Sequence, residues 1–381
     1  MIGGLRREEY PILAQKTYLA SHSLGAVPRG TAAALQSYHD EWATLGIEAW
    51  DGPWWEATLG FCASVEAIIG APAGTVVPVQ NVTLALGAVQ SCFDITGARR
   101  RVVMTDLEFT TSYPFWRAQE RAGAEVVIVP SEDGVSVPAE RLAAAIDERT
   151  LLVAVSHVIF RSGAVQDLAA VVRAAHRHGA LVLGDGYQAV GTVPVDVAAL
   201  GIDFYTGGSH KWLCGGPGAA WLYVREDHAR TLRPRLTGWF GLANPFDYTP
   251  GTRPPEPAAG VFRFMSGTPN VPAFYAAREG LRFVREVGLG RIREVQTALT
   301  AHIITQADVR GMRVKTPRDP EARSGMVCLD FPGAKAAVAA LGARGIIVDH
   351  RPDCGLRASP HFYSTMDDLD RLFEALDEVT T

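Results

Sequence analysis

The chain has 381 residues, 48% of them hydrophobic and 20% charged, with a formal net charge of -5. That much apolar surface excludes a disordered chain, and an acidic balance without a basic face speaks against nucleic-acid binding. No apolar run reaches the roughly 18 residues a membrane helix needs, and the N-terminal MIGGLRREEYPIL lacks a signal peptide's apolar core, so a soluble cytoplasmic protein is expected.

Residues 29–70 read as helical and hold four tryptophans, Trp42, Trp50, Trp54 and Trp55. These suit either a pocket for a bulky substrate or ordinary helix packing. Gln80–Asn81–Val82–Thr83 then opens an apolar, helix-like stretch over Leu84–Val89. From about 75 to 225, short apolar runs alternate with helical segments. Strands are expected at Arg101–Thr105, Glu125–Pro130, Leu151–Ser156, Leu181–Gly184, Asp203–Thr206 and Ala219–Val224, apolar on both faces as buried strands are. Helices are expected at Pro138–Ile146 and Leu168–His178, the second ending at Gly179. The basic run Arg99–Arg100–Arg101 reads as a solvated loop before a strand. Such alternation predicts an α/β fold with a mostly parallel sheet and helices on both faces.

Residues 243–260 are rich in Pro and Gly and read as a long loop. Beyond it, helices near 272–286 and 288–308, an apolar segment at Met326–Phe331, a helix near 334–343, a strand at Gly345–Asp349 and a last helix near 366–378 predict a smaller α+β unit. Five scattered cysteines (Cys62, Cys92, Cys214, Cys328, Cys354) include no CxxC pair, and the histidines form no HExxH, so neither a disulfide framework nor a metal site is expected.

Ligands of open α/β sheets bind beyond the carboxyl ends of the strands. Asp185 ends one predicted strand, and Gly207–Gly208–Ser209–His210–Lys211 follows another. A helix start at Val82 and Thr83 offers free N–H groups suited to a phosphate. A lysine in an apolar pocket loses its proton more easily and can form a Schiff base. An aspartate facing a pyridine nitrogen keeps that nitrogen protonated. Taken singly, each has an ordinary structural reading as a cap, a turn or a surface charge. In this order they match the three needs of pyridoxal 5'-phosphate: a phosphate cradle, an amine and a carboxylate.

Over Tyr18 to about Leu376 the chain resembles the fold-type I pyridoxal-phosphate enzymes of aminotransferase class V, and within them kynureninases. Asp185–Gln188 and Ser209–Lys211 match patterns that cysteine desulfurases also carry. The opening Tyr18–Pro28, Phe160–Gly163, Lys211–Gly216 and Gly238–Gly241 match kynureninase patterns. The resemblance implies a seven-stranded, mostly parallel sheet. It divides the chain into an N-terminal arm with part of the small domain (1–50), a large cofactor domain (51–255) and a small C-terminal domain (256–381).

It also implies roles. Lys211 is the Schiff-base lysine and proton shuttle, Asp185 the partner of the ring nitrogen, and His210, counted with them as catalytic, lies beside the phosphate. Gln188 or a neighbour contacts the ring hydroxyl, and Phe109 stacks on the ring, with Ser112 near it. Val82 and Thr83 hold the phosphate. Trp239 and the turn Gly267–Thr268–Pro269–Asn270 complete the phosphate site, across the interface of a homodimer. Arg357 binds the substrate carboxylate as a bidentate fork, with Ser23, Trp50 and Arg161 also at the substrate.

The pattern departs from kynureninase at three positions: His210 stands for Tyr, Ser112 for Asp and His22 for Asn. The long loop that carries the nucleophilic cysteine of desulfurases is missing, so Cys354 is expected to be packed near the site. The expected activity is a lyase or hydrolase acting at the β-carbon of an L-α-amino acid. Alternatives are an aminotransferase or epimerase, a desulfurase-like enzyme, or a binding protein without activity.

Overall fold

A computed structural model describes residues 2–248, 251 and 253–380. Part of the Pro/Gly-rich loop expected at 243–260, namely positions 249, 250 and 252, lies outside the described residues. The strands in chain order are β1 (Thr17–Tyr18), β2 (Val76–Val79), β3 (Arg101–Thr105), β4 (Glu125–Val129), β5 (Thr150–Ser156), β6 (Leu181–Asp185), β7 (Phe204–Gly208), β8 (Ala220–Val224), β9 (Arg313–Val314), β10 (Val327–Asp330), β11 (Ile346–Ile347), β12 (Asp349–Arg351) and β13 (Gly355–Ala358). The helices are α1 (Thr31–Leu45), α2 (Pro53–Ile69), α3 (Val82–Gln90), α4 (Ser112–Gln119), α5 (Ala139–Ala144), α6 (Leu168–Arg177), α7 (Val197–Leu200), α8 (Glu226–Thr231), α9 (Val271–Val287), α10 (Leu289–Val309), α11 (Ala334–Ala343) and α12 (Met366–Thr380).

Seven strands form the main sheet in the order β2-β8-β7-β6-β5-β3-β4. All neighbouring pairs are parallel except those made by β8, which runs antiparallel to β2 and to β7. Side chains alternate between two cores. Val103, Val153, Val155 and Val182 enter one, and Val102, Met104, Leu152 and Leu183 enter the other. Both faces are therefore apolar, and helices must cover both. On the first face α6 buries Leu168, Val171, Val172 and Ala175. Its N-cap Asp167 accepts from Ala170 N at 2.8 Å, and the chain leaves it through Gly179 at φ +66°. Leu168→Ala should cost about 2–5 kcal/mol.

Two expectations change. The apolar run Val76–Val79 is a strand, β2; it pairs only with β8 and adds an edge to the sheet. Arg101 is not in a solvated loop. It is the first residue of β3 and is buried, with Nη2 2.7 Å from Glu125 and Nη1 2.6 Å from Asp147. A charge ending a buried strand is kept by pairing.

A smaller core holds the antiparallel sheet β12-β13-β10-β9 against α10, α11 and α12, through Leu299, Ile303, Leu329, Leu341, Leu356 and Leu372. Near the N-terminus, β1 pairs in parallel with β11, and Leu19 enters this same core. That pairing carries His22 and Ser23 onto the ends of β12 and β13. No helix among the described residues is long and apolar enough to cross a membrane.

Candidate active site

The parallel strands β5, β6 and β7 end side by side, and their ends carry the polar groups. Ser156 is in register with Asp185, and Asp185 with Thr206. Asp185 is buried, and its Oδ1 accepts from Tyr187 N at 2.9 Å. Burial pushes its carboxyl up, opposed by that N–H and by the Lys211 ammonium.

Lys211 follows β7, where Gly208 leaves room that a Cβ would take from the Tyr187 ring. Its side chain is buried and, among the described residues, makes no hydrogen bond. Its Nζ lies 5.0 Å from the Phe109 ring centre and 5.4 Å from that of Tyr187. Burial lowers its pKa to about 8, opposed by Asp185 and reinforced by the charge of Arg357. His210 is half-buried, tilted against Tyr187 at 5.6 Å, and lowered to about 4 by burial and by Lys211, so it is neutral near pH 7.

Phe109 stands beyond the end of β3. Its ring meets Phe160 edge-on at 5.3 Å, and its carbonyl accepts from Ser112 N at 2.9 Å. The turn is anchored by buried Glu108, whose oxygens accept from Thr105 Oγ1 at 2.6 Å and from Ser156 N and Oγ at 2.7 and 2.6 Å. Burial lifts this carboxyl to about 7 against those bonds. The phosphate candidates sit at the start of α3. Asn81 caps it by accepting from Leu84 N at 3.1 Å; Val82 is buried and Thr83 exposed.

Arg357 lies in β13 and is buried rather than on the surface. Its Nε and Nη2 donate to the two oxygens of Asp349 at 2.7 and 2.6 Å, and its Nη1 donates to the Phe160 carbonyl at 2.8 Å. Ser23 Oγ donates to Asp349 as well, at 3.0 Å. Phe160 thus joins the two halves, its ring on Phe109 and its carbonyl on Arg357. The Arg161 guanidinium lies 5.4 Å over the Phe160 ring, with a loose 3.7 Å approach to Asp353.

Other expected residues have different surroundings. Gln188 is buried, its Nε2 donating to the His22 carbonyl and its Oε1 accepting from Trp212 Nε1, each at 2.9 Å. Trp50 lines an aromatic cavity of about 430 Å³ with Trp55, Phe240, Phe246 and Phe262, and no residue of the Lys211 cluster lines it. Trp239 packs on Phe240 at 4.3 Å and Phe246 at 5.6 Å. The exposed Thr268 and its turn face Pro78 and Gln80 across a narrow cleft. Cys354 is buried, and burial raises its thiol pKa.

The sequence reading missed Glu108, His157, Tyr187 and Asp349. His157 continues β5. Its N–H donates to the Asp185 carbonyl at 2.8 Å, and its Nδ1 is 2.8 Å from the Tyr205 hydroxyl. Tyr187 was visible in Leu-Gly-Asp-Gly-Tyr-Gln, one residue before Gln188. Asp349 had a weaker signal, an acid at the end of the apolar run Ile346–Val348.

The family model for class-V aminotransferases matches residues 17–372. The chain belongs to the aminotransferase class-V family. Among class-V relatives, the uncharacterized aminotransferase YcbU of Bacillus subtilis (strain 168) is 32% identical, over 98% of this chain and 96% of its own. A kynureninase of Burkholderia pseudomallei (strain 1106a) is 30% identical, over 91% and 84%. An apo cysteine desulfurase from Thermococcus onnurineus NA1 shares the fold with a TM-score of 0.87 at 22% identity, over 100% of this chain and 99% of its own. The cystine C–S lyase C-DES, in complex with cysteine persulfide, also has a TM-score of 0.87 at 22% identity, over 97% and 99%.

Class-V aminotransferases work with pyridoxal 5'-phosphate, and the residues present fit it. A buried amine left without an acceptor is costly, and attachment to an aldehyde removes that cost. Asp185 in the same pocket supplies the carboxylate, and Phe109 offers a ring face.

Proposed function

We propose that this protein is a pyridoxal-phosphate-dependent lyase or hydrolase that breaks a bond at the β-carbon of an L-α-amino acid, in the manner of a kynureninase. The supporting observation is the position of Phe160. It opens the kynureninase-like segment Phe160–Gly163 and touches both Phe109 and Arg357. The kynureninase relatives, aligned over more than nine-tenths of this chain, support the same reading.

When bound, the cofactor withdraws electrons from the substrate's α-carbon. In this reading Asp185 holds the ring nitrogen protonated, and Val82 and Thr83 receive the phosphate at the start of α3. Arg357 fixes the substrate carboxylate. Lys211, with a pKa of about 8, takes and returns a proton at the α-carbon near neutral pH. His210, neutral and beside it, is placed to accept a proton where kynureninases carry Tyr. Phe109 and Phe160 keep water from the reacting face. A homodimer would bring Trp239 and Thr268 to the partner's phosphate.

A desulfurase role is disfavoured by Cys354, since persulfide chemistry needs an accessible thiolate. The second reading is an aminotransferase, favoured by the name of the YcbU relative. Incubating the holoenzyme with L-kynurenine and a panel of L-amino acids bearing β-leaving groups tests the choice. The expected products carry a broken β-bond; α-keto acid released in a half-turnover, with no such cleavage, overturns the lyase reading.

A further inference from the structure

We infer that Asp349, held by Ser23, is a positioning residue that restricts Arg357 to one binding edge; this rests on Arg357 as the carboxylate binder. A guanidinium has five N–H donors. Two of them, on Nε and Nη2, go to Asp349 at 2.7 and 2.6 Å, and one on Nη1 goes to the Phe160 carbonyl at 2.8 Å. One N–H remains on Nη1 and one on Nη2. The side-on Nε/Nη2 fork, a common carboxylate-binding edge, is already filled by a carboxylate of the protein. The substrate must use the end-on edge, and its α-carbon is thereby fixed relative to Lys211.

Asp349 is itself fixed. Oδ1 lies 3.0 Å from His22 Nε2, and Oδ2 accepts from Ser23 Oγ at 3.0 Å and lies 3.2 Å from Arg351. His22 is fully buried, with Nδ1 on Ser359 Oγ. Burial keeps the imidazole neutral against the pull of Asp349. Ser359 Oγ donates its one hydrogen to the Leu19 carbonyl and accepts from the His22 backbone N–H, so the neutral ring carries its hydrogen on Nδ1, toward Ser359, and its Nε2 packs against Asp349 without a hydrogen bond. His22 comes from the N-terminal segment and Asp349 and Arg357 from β12 and β13, so three segments meet at this one carboxylate.

The pair also sets the charge. Arg357 with Asp349 is close to neutral, so affinity for the substrate carboxylate comes from two aimed N–H groups rather than a bare cation. Freeing Arg357 should then spare or tighten ground-state binding while losing alignment for the chemical step.

The holoenzyme with L-alanine as probe tests this. Two quantities are read: the dissociation constant from the cofactor spectrum, and the rate of α-hydrogen exchange in deuterium oxide at saturation. Asp349→Asn should lower the exchange rate by about 10- to 100-fold while the dissociation constant rises by no more than about threefold or falls. Asp349→Ser, which also removes the carboxylate, should shift the same rate in the same direction and keeps the test open if Asp349→Asn does not fold. An exchange rate within about twofold of wild type in both variants overturns the proposal. So does loss of affinity matching the loss of rate, which is the pattern of a merely structural role. Arg357→Lys separates the underlying reading: its dissociation constant should rise by about tenfold or more, and an unchanged value overturns Arg357 as carboxylate binder. Absence of exchange in the wild-type holoenzyme overturns both.

Discussion

The two cations of the site are treated in opposite ways. Arg357 is wrapped in hydrogen bonds, two to Asp349 and one to a carbonyl. Lys211 is equally buried but has only the ring faces of Phe109 and Tyr187 and the more distant charge of Asp185. In the proposed reading the group that stays charged is paired, and the group that loses its proton is left without an acceptor. Strands β12 and β13 provide the first environment and the ends of the parallel strands the second.

The largest effect should come from removing the unpaired cation. Lys211→Ala is expected to abolish the Schiff-base absorption band and to lower turnover by about 10²- to 10⁴-fold. A band that survives in this variant with added cofactor would mean another amine holds the aldehyde. The paired cation should behave differently. Arg357→Ala is expected to weaken amino-acid binding by about 10- to 100-fold, the worth of charge-assisted hydrogen bonds of about 1.5–3 kcal/mol, while the band remains. It should also lower the melting temperature, because the half-buried Asp349 loses its main partner. Spectral titration and thermal unfolding measure the two effects, and unchanged affinity removes Arg357 from the substrate site.

The comparison can be sharpened by pH. If Lys211 is the Schiff-base lysine, only its neutral form attacks the aldehyde, so cofactor uptake by the apoprotein should rise with pH through a midpoint near 8 and then level off, instead of through a midpoint near 10.5. The neighbours fix the direction of further shifts. Asp185 raises the lysine, so Asp185→Asn should move the plateau to lower pH; Arg357 lowers it, so Arg357→Ala should move it up. Stopped-flow uptake between pH 6 and 10, a range set by the free-amine scale of about 10.4, would show this. A rate still rising steeply above pH 9, about one unit past the expected midpoint, places Lys211 outside an apolar pocket.

What the sequence made legible follows the same divide. Buried parallel strands announce themselves as apolar runs, and β3 falls on the expected residues. Asp185 and Lys211 are read from strand ends because the fold puts ligands there. Asp349 and His22 come within 3.0 Å of each other across 327 positions of chain, and no local pattern encodes that meeting. It depends on β1 pairing with β11, two strands of two residues each, too short to show a period. Arg101 was misjudged for a similar reason: its partners Glu125 and Asp147 lie on other segments, and a basic run without them reads as solvent-facing. The aromatic cavity at Trp50 shows the remaining difficulty. Composition signalled the rings but not which surface they would line.

The smallest effect is predicted at Cys354, three residues before Arg357 in the chain. Cys354 sits just before β13, its thiol buried and its pKa raised by burial, with Arg357, Arg161 and Lys315 opposing the rise. Three cations nearby would ordinarily activate a thiol. Here desolvation outweighs them, and the Asp353 carboxylate adds to the rise. The buried thiol should therefore act as a small apolar group. Cys354→Ser should leave turnover within about twofold and cost at most about 1–3 kcal/mol, from a hydroxyl placed in an apolar site. Iodoacetamide should label Cys354 slowly in the folded holoenzyme and rapidly after denaturation. Fast labelling of the native protein, with sulfur transfer lost in Cys354→Ser, would return the enzyme to the desulfurase side of its family.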